Sequence, residues 1–444
     1  MRAAGAVFIV LLAAGCHTTT DWLGSNPNHL KPDGSVPDAP VSDGGAMDGG
    51  AMDGGATDGG VLHTVTRPTS YPRILQTALN LTDTTVSNRI AAVYKQLFHG
   101  SQSAQQNIYY VSQSDPTQAY IWDVLHGQVR TEGQGLGMML AVQLNHQDDF
   151  DPLWRYAKAR LEVTSGPSAG YFNSQCDDAD QMGYRGCLDP FGFEQFVTAL
   201  IFAHHRWGST GAINYQKDAL ALFHTMKHKL DDNGGAGTAT NLFDATANLP
   251  YAYPDTSYAG VTRPSIVMPG YYAVWAQADG DDTFLAAVTS GRALIQNAAW
   301  PTTGLTPIES YFTGKAVPGW DMFQPEAYRT QINVVIDQIW TGGTPDNVTL
   351  ANRLLSFFSS AASGGFNNYG TSFSLDGTPG SNPIHELSLV VSNAIAAGIS
   401  TNPDHTQYLS ALWNMAIPVG QPRYYTGLLQ LWGLMILGGQ FQIY

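Results

Sequence analysis

Residues 130–142 read Arg130-Thr131-Glu132-Gly133-Gln134-Gly135-Leu136-Gly137-Met138-Met139-Leu140-Ala141-Val142. From Leu136 onward the run is apolar on every side, so it reads as a helix buried all round. Glu132 stands at its mouth, where desolvation favours the protonated carboxyl and suits it to act as an acid near neutral pH. The competing role is structural, a carboxylate at the positive end of a helix dipole.

Working outward, six more apolar runs have helical length: 193–207, 219–230, 271–278, 331–340, 387–397 and 428–437. Several begin or end at Gly or Pro, and strand alternation is scarce. Helices apolar nearly all round are expected as an inner ring covered by an outer ring of amphipathic ones, so the fold class is all-α. The connections 176–192 and 248–263 are rich in Gly, Pro, Asn, Asp and aromatics, and loops of that kind line a concave site for an elongated ligand.

The chain starts Met1-Arg2, continues with an apolar stretch over 6–12 and reaches Ala13-Ala14-Gly15-Cys16. That stretch is too short to span a bilayer and fits a signal-peptide core. With Cys16 after the small residues, the segment 1–16 resembles a bacterial lipoprotein signal in which Cys16 carries the lipid; the alternative is an ordinary secretory signal. Export is expected either way, to a membrane-anchored position in the periplasm or at the cell surface, or into the medium. Residues 17–62 are dominated by Asp, Gly, Pro and Ser, with Asp-Gly-Gly repeats at Asp43, Asp48, Asp53 and Asp58. Such a segment buries too little apolar surface to order itself and is expected to be a flexible tether. The repeats lack the further oxygen ligands a calcium site requires.

Residues 63–444 carry no second break of this composition and read as one catalytic-size domain. Of the formal charge of −15, the tether (21–62) contributes −6 and Arg2 +1, leaving −10 on the body. An acidic body with 13% charged residues excludes a phosphate-backbone partner, so nucleic acid is not expected, and a neutral ligand is. The 10 Trp, 21 Tyr and 18 Phe suit stacking on sugar faces, although most such rings serve the core of any large domain. Cys176 and Cys187 flank a polar loop and, in an exported protein, are expected to form a disulfide, with two thiols as the alternative. No zinc spacing is present, no metal or other cofactor is expected, and a monomer is.

A further set of residues falls in a fixed order: Ile108-Tyr109-Tyr110; Val129-Arg130-Thr131-Glu132-Gly133; Gly137-Met138-Met139 with Ala141-Val142-Gln143; Phe150-Asp151 and Leu153-Trp154; His205-Arg206-Trp207-Gly208; Pro264-Ser265 and Pro269. It closes with Ala327-Tyr328-Arg329, Asn333, Asp337, His385, Ser392-Asn393-Ala394, Trp413-Asn414 and Arg423-Tyr424-Tyr425. In this order they make the chain resemble glycoside hydrolase family 8, and within it the reducing-end xylose-releasing exo-oligoxylanases, over 85–444. The resemblance implies an (α/α)6 barrel with a substrate cleft across one end. It also implies inverting hydrolysis of β-1,4-linked xylo-oligosaccharides or xylan. In that chemistry a carboxylic acid protonates the leaving oxygen and a carboxylate about 6.5–9.5 Å away activates water.

The family's acid falls on Glu132. Its base is an Asp three residues before an Arg, a position held here by Glu326, one methylene longer; the competing role is an ion-pair partner of Arg329. The family's sugar-gripping Asp falls on Phe191, and Asp189, two residues earlier, is the candidate to replace it. Where the exo-oligoxylanases show Asp, Tyr and His, this chain has Arg263, Ile266 and Val267, so the sugar-binding wall has been rebuilt. His385 matches a histidine of a loop that closes one end of the cleft, and Tyr328, Arg329, Tyr424 and Tyr425 are the remaining candidate substrate contacts. The alternatives are an endo-glucanase or chitosanase on the same barrel, or a surface lipoprotein that binds glycans without cutting them.

Overall fold

The computed structural model describes residues 61–176, 187–381 and 383–444. Cys16, the signal segment, nearly all of the tether and the loop 177–186 lie outside the described residues. Thirteen α-helices follow one another among the described residues: α1 (Ile74–Leu79), α2 (Asp83–His99), α3 (Thr131–Gln143), α4 (Gln147–Tyr156), α5 (Pro190–Trp207), α6 (Tyr215–Asn233), α7 (Pro269–Asp279), α8 (Thr283–Ala298), α9 (Arg329–Thr341), α10 (Pro345–Ser359), α11 (Leu387–Ala397), α12 (His405–Asn414) and α13 (Tyr425–Leu437).

Burial sorts these helices into two rings. Every residue of α13 is buried, and every residue of α3 except Glu132. Helices α5, α7, α9 and α11 are nearly as enclosed. In contrast, α2 buries only Val86, Ile90, Val93, Tyr94, Leu97 and Phe98, a stripe at helical spacing, and α8 and α10 do the same. The enclosed helices pack in a closed cycle, α3 on α5, α5 on α7, α7 on α9, α9 on α11, α11 on α13 and α13 back on α3. Each is backed by a striped partner, α4, α6, α8, α10, α12 and α2 in turn. The architecture is an (α/α)6 barrel, as the resemblance implies.

Among the described residues eight short strands occupy the connections: β1 (Tyr109–Val111), β2 (Ala119–Asp123), β3 (Gln128–Arg130), β4 (Gln175–Cys176), β5 (Val261–Thr262), β6 (Ser310–Tyr311), β7 (Met322–Phe323) and β8 (Phe373–Ser374). β1 to β4 form an antiparallel sheet in sequence order, with Val129 opposite Cys176 and Arg130 opposite Gln175. The sheet delivers the chain into α3. The amide of Thr131 donates to the Ser174 carbonyl at 3.0 Å and its hydroxyl to the Asn173 carbonyl at 2.5 Å.

Two glycines bring α3 and α5 together. A Cβ on Gly192 would fall 2.5 Å from the Thr131 carbonyl oxygen, and one on Gly135 2.8 Å from the Gly192 carbonyl oxygen. Gln134 then ties α3 to its surroundings: its side-chain oxygen accepts from the Ile121 amide at 3.0 Å, and its nitrogen donates to the Ala119 and Leu153 carbonyls at 3.0 and 2.8 Å. Gln134→Leu leaves two buried backbone groups, the Ile121 amide and the Ala119 carbonyl, unpaired and is expected to destabilise the protein by about 3 kcal/mol, read as a lower urea midpoint at unchanged slope. An unchanged midpoint would show that water replaces the amide.

The structure corrects the expected Cys176–Cys187 bridge. Cys176 faces the main core and keeps its thiol, which hydrogen-bonds with the Tyr156 hydroxyl. Cys187 packs in a separate small cluster with Ala252 and Tyr253. The two cysteines therefore lie in different packing environments and do not pair with each other. No described helix is long and apolar enough to cross a membrane.

Candidate active site

Inner helices α3, α5, α9 and α13 all begin at one end of the barrel, and their first residues meet in an open cleft with about 690 Å³ of empty volume. Glu132 enters from α3, Asp189 from the N-cap of α5, Arg329 from the first turn of α9, and Tyr424 and Tyr425 from the start of α13. Helix starts converge because each loop rises from the outer ring and must re-enter the barrel at this end.

Glu132 is the one residue of α3 to reach the cleft, with its side chain 25% exposed. Its surroundings are polar. The Arg329 guanidinium, 4% exposed, donates to it from Nη1 at 2.5 Å. Beside it the β2–β3 hairpin supplies a second ion pair, Arg130 Nε to Asp123 Oδ2 at 2.9 Å, with His126 Nδ1 at 2.6 Å from the same oxygen.

Glu326 faces Glu132 from a 3-10 turn, Pro325–Tyr328, that leads into α9. It pairs with Arg263 Nη1 and, at 3.6 Å, with Arg329 Nη2. Burial alone would raise its affinity for a proton; the Arg263 and Arg329 cations outweigh that and hold the carboxyl below its ordinary value. Glu326 is therefore ionised at neutral pH. Arg329 grips both carboxylates with one rigid fork, so their nearest oxygens lie within roughly 8 Å of one another.

Asp189 caps α5 by accepting from the Phe191 amide at 3.0 Å. Burial first, then the charge of Glu132, pushes its carboxyl up to about 6 against the pull of Arg263 and Arg329. The Phe191 ring lies beneath the Arg329 guanidinium at 4.3 Å, so the residue at the family's Asp position packs against the central cation. Burial, reinforced by the charges of Glu132 and Asp123, keeps the Tyr424 hydroxyl protonated far above its ordinary value. That hydroxyl is buried and has no hydrogen-bond partner among the described residues. Gly133 makes room for it, since a Cβ there would fall 2.5 Å from the Tyr424 oxygen. The Tyr425 hydroxyl donates to the Pro325 carbonyl at 2.9 Å, tying α13 to the turn that carries Glu326.

Six of the sequence-derived candidates thus meet in one cleft: Glu132, Glu326, Asp189, Arg329, Tyr424 and Tyr425. Two do not line it. Tyr328 is fully buried against Phe323 and spends its hydroxyl on the Thr371 carbonyl at 2.5 Å. His385 bonds to the Tyr369 carbonyl at 3.0 Å and lines a separate apolar groove with Leu387, Val390 and Pro418. Conversely, Asp123, His126 and Tyr253 line the cleft without having been singled out from the sequence. They lie on hairpin and loop segments whose apposition is tertiary. Among the described residues no group of three or more His, Cys, Asp or Glu side chains is arranged to hold a metal ion.

Glu309, 3% exposed, stands behind Arg263. Burial, opposed by the Arg263 cation and aided by the charge of Glu326, pushes its carboxyl up to about 7 from an ordinary 4.5. The folded protein therefore keeps this proton where the unfolded chain has lost it, and stability falls as pH rises from 4.5 to about 7. Glu309→Gln abolishes the titration. The variant is expected to gain on the parent across that window, by up to about 3 kcal/mol, and to hold the gain above it. Thermal melts at pH 4, 6 and 8 measure this; a difference independent of pH would contradict it.

The family model of glycosyl hydrolases family 8 matches residues 125–372, which include Glu132, Asp189, Arg263, Glu326 and Arg329. The chain is 30% identical over 369 residues to the reducing-end xylose-releasing exo-oligoxylanase Rex8A of Paenibacillus barcinonensis, covering 81% of this chain and 93% of that enzyme. It is 27% identical over 320 residues to endoglucanase 2 of Ruminiclostridium josui, covering 70% of this chain and 64% of that protein. The solved structure of Rex8A complexed with xylose superposes with a TM-score of 0.77 at 28% identity, over 84% of this chain and 98% of that one.

Proposed function

Since the chain belongs to glycosyl hydrolases family 8, we propose that it hydrolyses β-1,4-linked xylo-oligosaccharides with inversion, using Glu132 as general acid and Glu326 as general base. The observation that carries this reading is the shared guanidinium: Arg329 reaches Glu132 at 2.5 Å and Glu326 at 3.6 Å, so two carboxylates from different elements meet in one cleft, the residue pair that inverting hydrolysis requires. Glu132 protonates the glycosidic oxygen as the bond breaks. Glu326, kept ionised by Arg263 and Arg329, takes the proton of the water attacking from the other face of the sugar. In this reading Asp189 and Tyr424, which line the cleft, contact the sugar.

Xylo-oligosaccharide is favoured as substrate by the likeness to Rex8A along nearly the whole length of that enzyme. The likeness to endoglucanases supports a second reading, cleavage within β-1,4-glucan chains. The reading further has the enzyme exported and held by a lipid on Cys16, as its first sixteen residues suggest.

Incubation with xylo-, cello- and chitosan oligosaccharides, followed by proton NMR of the first product, tests the proposal. Release of the α-anomer from β-xylotetraose is expected. Faster cleavage of cellohexaose would replace the substrate, initial release of the β-anomer would overturn inversion, and binding without any cleavage would establish a glycan-binding protein instead.

A further inference from the structure

Arg263 comes from the rebuilt wall, where the family resemblance places an Asp, and three contacts immobilise it. Nη2 donates to the Ala252 carbonyl at 2.9 Å, the guanidinium lies over the Tyr253 ring at 4.6 Å, and Nη1 pairs with Glu326. The residue is 7% exposed. Glu326 meets this fork closely and Arg329 only at 3.6 Å, so Arg263 rather than Arg329 sets its orientation.

Resting on the reading of Glu326 as base, we propose that Arg263 is a positioning residue for that base: it draws the longer glutamate side chain against the Tyr253 wall and holds its carboxylate toward the attacking water. The two departures from the family pattern, Asp to Arg at 263 and Asp to Glu at 326, are then one paired exchange. An Asp at 326 would fall short of the fork by one carbon–carbon bond, roughly 1.5 Å. The extra methylene, which by itself would displace the water, is taken up in spanning to Arg263. Fixing the base in this way matters because a misplacement of about 1 Å costs roughly 10²-fold in rate.

The groups facing Arg263 are Glu326, Tyr253, Asp189 and Glu309, and those facing Glu326 are Arg263, Arg329 and Arg130. Neutralising residue 263 leaves the burial of Glu326 less opposed, so its carboxyl takes up a proton at higher pH. The acid limb of the rate profile then moves upward.

The test compares Arg263→Lys, Arg263→Gln, Glu326→Asp and the double variant Arg263→Gln/Glu326→Asp on xylotetraose, with circular dichroism confirming the fold of each. Glu326→Ala serves as the reference for the base, with azide added as an external nucleophile that can replace the activated water. Each single variant is expected to lose about 10²-fold in kcat with KM changed less than about threefold. Arg263→Gln raises the acid limb, whereas Arg263→Lys keeps the charge and leaves the limb in place at a lower plateau. The double variant is no worse than either of its components, because both remove the same contact.

Additive losses with an unmoved acid limb would reduce Arg263 to a structural role and overturn the proposal. So would a kcat in Arg263→Gln equal to that of the parent while Glu326→Ala is inactive and recovers with azide. Turnover surviving in Glu326→Ala would instead remove Glu326 as base, a distinct failure that takes the positioning role with it.

Discussion

Replacing Glu132 by Gln is expected to lower kcat on unactivated oligosaccharides by about 10³-fold or more while leaving the fold intact. The size follows from the role: a positioned proton donor contributes about 10²- to 10⁴-fold, and an unactivated sugar alkoxide is too poor a leaving group to depart without one. The preservation follows from the geometry. Glu132 is the only unburied residue of its helix, and Gln is isosteric and still offers an oxygen to Arg329. An aryl xyloside whose phenolate leaves unaided should lose far less, so the ratio of the two losses reports the proton transfer itself. Thermal unfolding within a degree or two of the parent, together with that ratio, is the expected pattern. Equal losses on both substrates would mean that Glu132 binds sugar instead of donating a proton.

Arg329→Met should be damaging in a different way, reducing both turnover and stability. The guanidinium is 4% exposed and serves Glu132, Glu326 and the Phe191 ring at once. Its removal leaves Glu132 without its cation and Glu326 with Arg263 alone, and breaking a buried pair costs about 3–5 kcal/mol. The pH dependence has a definite sign. In the parent the Glu326 carboxyl is held below its ordinary value, so its contribution to stability is present at neutral pH and lost as pH falls through that lowered value. With Arg329 gone, protonation removes the charge left without its cation, so the variant gains relative to the parent on acidification. The stability gap should therefore be widest above pH 7 and narrow toward pH 4, as urea titrations at several pH values would reveal. A gap constant across that range would locate the damage in packing against Phe191 rather than in charge.

The barrel was legible in the sequence wherever enclosure makes a helix apolar on all faces. The runs at 136–144, 193–207, 271–278, 331–340, 387–397 and 428–437 fall on α3, α5, α7, α9, α11 and α13, the entire inner ring. The outer ring was read less completely: the run at 219–230 falls within α6, while α2, α4, α8, α10 and α12 show only a stripe of buried residues among polar ones. Glu132 and Glu326 were traceable because they lie in short motifs at helix starts. Tyr328, in the same motif as Arg329, was not separable from it by sequence, since adjacent residues entering a helix point to different sides. Tyr328 faces the core and Arg329 the cleft. Asp123, His126 and Tyr253 were invisible for a related reason: they are brought to the cleft by strand pairing and loop closure, and nothing local marks them. The cysteines show the limit of spacing as a signal, for the cluster in which each one packs is set by the tertiary fold.

The glycine seam between α3 and α5 bears on how such an enzyme can diversify. Glu132 and Asp189 are borne by helices that touch backbone to backbone at Gly135 and Gly192, where even one added carbon collides with a carbonyl. Neither acid can drift relative to the other without breaking the barrel. Arg263 and Glu326 are carried instead by 3-10 turns and their loops, which tolerate exchange far better. One half of the cleft is conservative by construction and the other is open to experiment, by natural drift or by a mutagenesis library. New specificities in this scaffold should accumulate on the wall of Arg263 and Glu326, while the wall of Glu132 and Asp189 stays as inherited.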